Sequence, residues 1–144
     1  MTDAIHKAAL AERAARAGGV VARGTFREAV SVETKDHKND LVTQADRDAQ
    51  LQILSTIHQE FPNATLVCEE EVEPVGTTTE FELVETVPET GDAWVVDPID
   101  GTGNYVRGMR FWATSIAAVT DGEPVGVATY LPSLEDIYTA GPES

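Results

Sequence analysis

The sequence predicts an α+β fold, a layered α/β sandwich in which two N-terminal helices pack on a mainly antiparallel sheet. Three observations lead there. Apolar residues recur at helical spacing only before Pro62. Beyond it, short β-branched runs are punctuated by Gly, Pro and Asp. Helices thus come early and hairpin-connected strands late, an order that favours layered α+β packing over a doubly wound parallel sheet.

The first helix is expected from Thr2 to about Arg23, with Ile5, Ala8, Ala9 and Ala15 at helical spacing and Thr2 or Asp3 available as N-cap. "AVSVETK" (Ala29 to Lys35) alternates and reads as a strand leading into a polar loop, Asp36 to Asn39. The second helix follows in "LVTQADRDAQLQILSTIHQEFP", where Ala45, Ala49, Ile53 and Ile57 share a face and Pro62 ends the pattern. "ATLVCEEE" (Ala64 to Glu71) reads as a buried strand whose end opens into a loop. Residues 72–92 are acidic, threonine-rich and broken by Pro74, Gly76, Pro88 and Gly91, as in a long surface excursion with one strand near Phe81 to Val84. "AWVVD" is a strand that delivers Asp97 to its end. The remainder holds three β-like runs separated by "DGE" (Asp121 to Glu123) and "PSLED" (Pro132 to Asp136), the pattern of an antiparallel meander.

Length and composition set the frame. The 144 residues suit one domain with its own core, and the whole of 1–144 is read as that domain. No apolar run reaches the length of about 18 residues that a membrane helix needs, and the N-terminus lacks a signal pattern, so a cytoplasmic protein without membrane contact is expected. The single Cys68 fits a reducing compartment. With 25 acidic and 10 basic residues, the net charge of -15 disfavours nucleic acid as a partner. Because most acids are dispersed (Glu73, Glu80, Glu82, Glu85, Glu89, Asp92), the acidity reads first as a salt-adapted, halophilic surface, with only a few carboxylates left for chemistry.

Those few stand at element ends, in "DLVTQAD" (Asp40 to Asp46), "CEEE" (Cys68 to Glu71) and "DPIDGT" (Asp97 to Thr102). Asp97 and Asp100 are close enough to raise each other's pKa unless a cation neutralises both. Pro98 turns the chain immediately after Asp97, so the two carboxylates can converge while the Ile99 carbonyl offers a further oxygen. Such an all-oxygen set suits Mg²⁺, which keeps waters that a substrate phosphate can replace. Gly101 lets the backbone approach a ligand, and the Gly101 and Thr102 N–H groups would open a short helix as an anion site. Plainer readings exist for each cluster: a strand followed by an Asp/Gly turn for "DPIDGT", a Thr43/Asp46 capping box for "DLVTQAD", and another acidic loop for "CEEE". His6, His37 and His58 have no ligand-like spacing and read as surface residues.

Taken together and in this order, "KDHKNDLVTQAD", "LVCEEE", "WVVDPIDGTGNYVRGMRFWATSIA" and "GVATYLPSLEDIYTA" resemble the inositol monophosphatase family of Mg²⁺-dependent, lithium-sensitive phosphatases. The resemblance covers nearly the whole chain. It implies that Glu69, Asp97 and the Ile99 carbonyl bind a first, activating metal, and that Asp97 bridges to a second held also by Asp100. It implies that Glu69 and Thr102 orient the attacking water, with Asp46 hydrogen-bonded to Thr102. Lys35 and Asp40 match a mobile loop near a third metal, and Gly101 and Thr102 match phosphate-binding backbone. The implied activity is hydrolysis of a phosphate monoester, inositol 1-phosphate first and fructose 1,6-bisphosphate or a broader set of sugar and nucleotide phosphates second. The metal-activated water attacks in line, without a covalent intermediate, and a homodimer or other self-association is implied.

Two departures qualify this. Cys68 stands where the family usually has glycine. Ser144 falls about where the family's first half ends, so a second half with a "WDxAAG"-like motif and most substrate contacts is absent from this sequence. That leaves a rival of another class, a domain that binds Mg²⁺ through Glu69, Asp97 and Asp100 without turnover. A haloacid dehalogenase type of site is disfavoured, because its aspartates are separated by one residue and Asp97 and Asp100 by two.

Overall fold

The computed structural model describes residues 2–31, 35–68 and 82–142, with side chains from 3–26, 41–68 and 82–142. Two long helices open the chain, α1 (Thr2–Ser31) and α2 (Lys35–Glu60). A six-stranded sheet follows: β1 (Thr65–Cys68), β2 (Glu82–Val84), β3 (Asp92–Asp100), β4 (Ala113–Thr120), β5 (Glu123–Leu131) and β6 (Asp136–Ala140). A short helix α3 (Thr102–Val106) lies between β3 and β4, and a single 3₁₀ turn, Pro132–Leu134, precedes β6.

The spatial order is β2-β1-β3-β4-β5-β6. β1 runs parallel to both β2 and β3, and every later pairing is antiparallel. The mixed, mainly antiparallel sheet with helices layered on it is the fold class expected from the sequence. The β4–β5 connection is the two-residue Asp121-Gly122 loop, with φ of 51° and 80° at these residues, the left-handed pair that hairpin turns require.

Helices and sheet meet through one apolar face. Lys7, Leu10, Ala11, Ala14, Ala15, Ala22 and Phe26 form the buried stripe of α1, and Ala45, Ala49, Ile53 and Ile57 that of α2. They cover Leu66, Trp94, Val96, Ile116, Ala118, Ala128 and Tyr130, the inward residues of β1 and β3 to β5. The alternate residues Val95, Asp97, Ser115, Ala117, Val127 and Thr129 are half-buried on the opposite face. Small residues let α1 lie close to the sheet: a Cβ on Gly126 would come within 2.6 Å of the Ala8 Cα.

Three local expectations are corrected. α1 continues past Arg23 to Ser31, so the strand expected from Ala29 begins as helix. The expected loop Asp36 to Asn39 is the first turns of α2, which places Lys35 and Asp40 on helical backbone instead of a loop. That segment is polar but has no Gly or Pro to break a helix, and a short β-branched alternation such as "AVSV" is weak evidence for a strand. Thr43 consequently lies inside α2 and does not cap it.

Candidate active site

The site begins with the pairing of β3 and β4. Asp97 lies opposite Ser115 and Asp100 opposite Ala113, so three steps along β3 match two along β4. In a regular strand residues three apart point to opposite faces; the extra residue of this β-bulge restores parity. Asp97 and Asp100 therefore share the sheet face that the helices leave uncovered, Asp97 half-buried and Asp100 exposed. Pro98 and Ile99, within the bulge, are buried.

Hydrogen bonds fix the backbone of this segment at successive points. The fully buried Thr114 hydroxyl donates to the Pro98 carbonyl at 2.8 Å. The Thr102 hydroxyl donates to the Ile99 carbonyl at 3.2 Å, so its single proton goes to the turn that carries it. Gly101 takes φ 92° and ψ 42°, left-handed geometry that glycine adopts at least cost. Its carbonyl accepts the Tyr105 N–H at 3.0 Å and so starts α3. Beneath the turn, Tyr105 and Trp112 meet edge-on with ring centroids 4.9 Å apart, Phe26 packs against both, and the Tyr105 hydroxyl donates to the Ala22 carbonyl at 2.7 Å. The turn therefore rests on a rigid aromatic floor joined to α1.

The other expected site residues divide into two groups. Asp46 is buried, with 7% of its surface exposed, on the turn of α2 whose neighbours Ala45 and Ala49 pack with Ile99 and Tyr105. A carboxylate so enclosed is not a solvated helix cap, and the fold brings its helix turn against the DPIDGT segment. Glu69 lies outside the described residues, as do the side chains of Lys35 and Asp40. Among the described residues no three His, Cys, Asp or Glu side chains converge as a ligand group. Two open hollows of about 290 and 370 Å³ lie between α1 and the β5–β6 end of the sheet, and neither is lined by Asp97, Asp100 or Thr102.

Sequence reasoning missed Asn104 and Thr114. A polar residue directly after a Gly-rich turn, and a threonine amid the apolar run of β4, were the available signals.

A family model described as the inositol monophosphatase family matches residues 4–142. The chain belongs to the inositol monophosphatase family. Among relatives, it is 33% identical over 132 residues to Nus factor SuhB of Salmonella typhimurium strain 14028s, covering 91% of this chain and 45% of that protein. It is 32% identical over 131 residues to inositol monophosphatase 2 of Solanum lycopersicum, covering 90% of this chain and 45% of that protein. Among solved structures, an inositol monophosphatase from Zymomonas mobilis matches with a TM-score of 0.69 at 28% identity, over 94% of this chain and 47% of that one. This member of the inositol monophosphatase family thus spans somewhat less than half the length of these relatives. Among the described residues no helix is long and apolar enough to cross a membrane.

Proposed function

We propose that this chain carries the metal and phosphate site of a Mg²⁺-dependent phosphate monoester hydrolase acting on inositol 1-phosphate, with fructose 1,6-bisphosphate as the alternative substrate. The observation that carries the reading is the β3 bulge, which gives Asp97 and Asp100 a common face in a chain of this family. The donor set fits a hard cation: the Glu69, Asp97 and Asp100 carboxylates and the Ile99 carbonyl, all oxygen. Glu69, Asp97 and Ile99 would hold one ion and Asp97 with Asp100 a second, with Lys35 and Asp40 near a third. When bound, such ions supply a water of lowered pKa and stabilise charge on the transferring phosphoryl group.

The chain's own residues supply orientation. Glu69 and Thr102 direct the attacking water, and Asp46 steadies Thr102, which needs the Thr102 proton to turn from Ile99 toward α2. The Gly101 and Thr102 N–H groups hold phosphate oxygens. In-line displacement of this kind needs positioning and charge stabilisation, with no nucleophilic side chain. The acidic surface disfavours nucleic acid as a partner; a small phosphate ester and a second copy of the chain are the partners that family membership suggests.

The test is phosphate release from inositol 1-phosphate at molar salt, with and without Mg²⁺, in the wild type and Asp97→Asn. Mg²⁺-dependent turnover that lithium inhibits and Asp97→Asn abolishes is the expected result. Full activity in a folded Asp97→Asn protein overturns the assignment. The share of the relatives covered, 45% in the Salmonella protein, favours one second reading: a metal-binding domain without turnover of its own. Mg²⁺ binding by a folded chain that releases no phosphate would select it.

A further inference from the structure

Asn104 bridges the loop that follows α3 from both of its ends. Its backbone carbonyl accepts the Met109 N–H at 2.9 Å, and its side-chain amide donates to the Phe111 carbonyl at 2.7 Å. That second bond sets the height at which the chain returns toward β4. The returning segment passes directly behind the DPIDGT turn: a Cβ on Gly101 would meet the Phe111 carbonyl oxygen at 3.2 Å and the Trp112 Cα at 3.5 Å. Immediately afterwards Ala113 pairs with Asp100. The Phe111 carbonyl is thus held by the Asn104 amide while standing against the backbone of Gly101, between the two residues that carry site side chains, Asp100 and Thr102.

We propose that Asn104 is a positioning residue for the Asp100–Thr102 turn: its bond to Phe111 presses the 111–112 backbone against Gly101 and so fixes the directions of the Asp100 and Thr102 side chains. The contact is local. Tyr105 and Trp112 are anchored independently by the aromatic floor and the Ala22 carbonyl, so loss of the Asn104 bond frees the turn without removing the core beneath it. The effect passes through Gly101, against which the Phe111 carbonyl stands. The significance for catalysis rests on the phosphatase reading above, whereas the mechanical claim does not.

The experiment uses the isotopically labelled chain, comparing wild type with Asn104→Ala by nuclear magnetic resonance, with Mg²⁺ as the added probe. In Asn104→Ala the Tyr105 amide, bonded to Gly101, should exchange roughly tenfold faster, as expected for loss of about one hydrogen bond's worth of local stability. The Gly101 and Thr102 resonances should shift and broaden, while those of Ile116 and Ala128 stay in place. Apparent Mg²⁺ affinity read from the Asp100 and Thr102 resonances should fall several-fold at unchanged Tm, a result that general destabilisation does not give. Unmoved Gly101, Thr102 and Tyr105 signals in the folded variant overturn the proposal. If Asn104→Ala does not fold, Asn104→Ser, which retains a polar group too short to reach Phe111, decides by the same readouts. A wild type whose Asp100 and Thr102 signals ignore Mg²⁺ counts against the metal reading, and the amide comparison still judges Asn104.

Discussion

The Lys7 ammonium lies 2.9 Å from the Asp92 carboxylate although only 3% of the lysine side chain is exposed. Asp3 stands 3.0 Å away on its other side, and the Thr120 hydroxyl accepts from it at 3.3 Å. The cluster ties the start of α1 to the outer end of the β3–β4 pair. The burden is unequal, because Asp92 is 53% and Asp3 68% exposed and both can return to water if the lysine is removed. Lys7→Met should therefore cost no more than about 1 kcal/mol, whereas Asp3→Asn with Asp92→Asn, which strands a buried ammonium, should cost about 2 kcal/mol or more. Urea unfolding of the two variants checks the order.

The same cluster predicts the pH response. Burial pulls the Lys7 pKa down, but hydrogen bonds to Asp92 and Asp3 outweigh it and hold the group above its ordinary 10.5. Bonds from Lys7 and then Thr120 hold Asp92 below its ordinary 3.8. The Asp92 contribution is complete above pH 3.8 and is lost as the pH falls through its lowered folded value. The Lys7 contribution is complete below pH 10.5 and is lost as the pH rises through its raised one. Asp92→Asn should flatten the acid limb of the urea midpoint against pH and leave the neutral range level.

Gly101→Ala meets two obstacles at once. Alanine at φ 92° is left-handed, and its methyl would stand 3.2 Å from the Phe111 oxygen. A loss of about 1–2 kcal/mol from the backbone alone is expected in urea unfolding, with the Thr102 and Tyr105 amide signals displaced.

Burial pushes the Cys68 thiol up to about 11. At pH 8 the thiolate is then about a hundredfold scarcer than in an ordinary cysteine. Alkylation of the folded chain should be slower than in urea by about that factor, and should accelerate about tenfold per pH unit until the pH reaches the thiol's pKa.

Exposed Glu82, Glu85, Glu89, Glu123, Glu135 and Asp136 add to a chain of net charge -15. Since the screening length falls from about 10 Å at 0.1 M salt to about 3 Å at 1 M, the Tm should rise with potassium chloride. A salt-adapted chain goes on gaining in the molar range, and a scan of Tm against salt reads this directly.

Much of this was legible in the residues, for identifiable reasons. Asp121-Gly122 announced a hairpin because its turn demands left-handed backbone, and Pro62 ended α2 where expected. The DPIDGT segment stands out by its paired aspartates at a strand end, with Pro98 and Gly101 beside them. Its geometry was harder to read: convergence was credited to the kink at Pro98, whereas the structure adds an unpaired residue in β3, which depends on the partner strand. Asn104 stands out only as a polar residue after a Gly-rich turn; its acceptor, Phe111, is brought to it by a loop whose path no local pattern specifies. The stretch from Ala29 to Asn39 misled because alternation over a few residues and polarity without breakers are compatible with either helix or strand.

The bulge between Asp97 and Asp100 makes the spacing of that segment a form of information separate from its residue types. Substituting Pro98 or Ile99 changes the lining of the turn but preserves the count. Deleting either would leave two intervals between the aspartates, matching the two along β4 and keeping both on one face without the bulge. Deleting both would leave the carboxylates adjacent and turn them toward opposite sides of the sheet, one of them toward the helices. Every length change of this segment thus has a parity, and only some lengths leave the two acids on one side of the sheet.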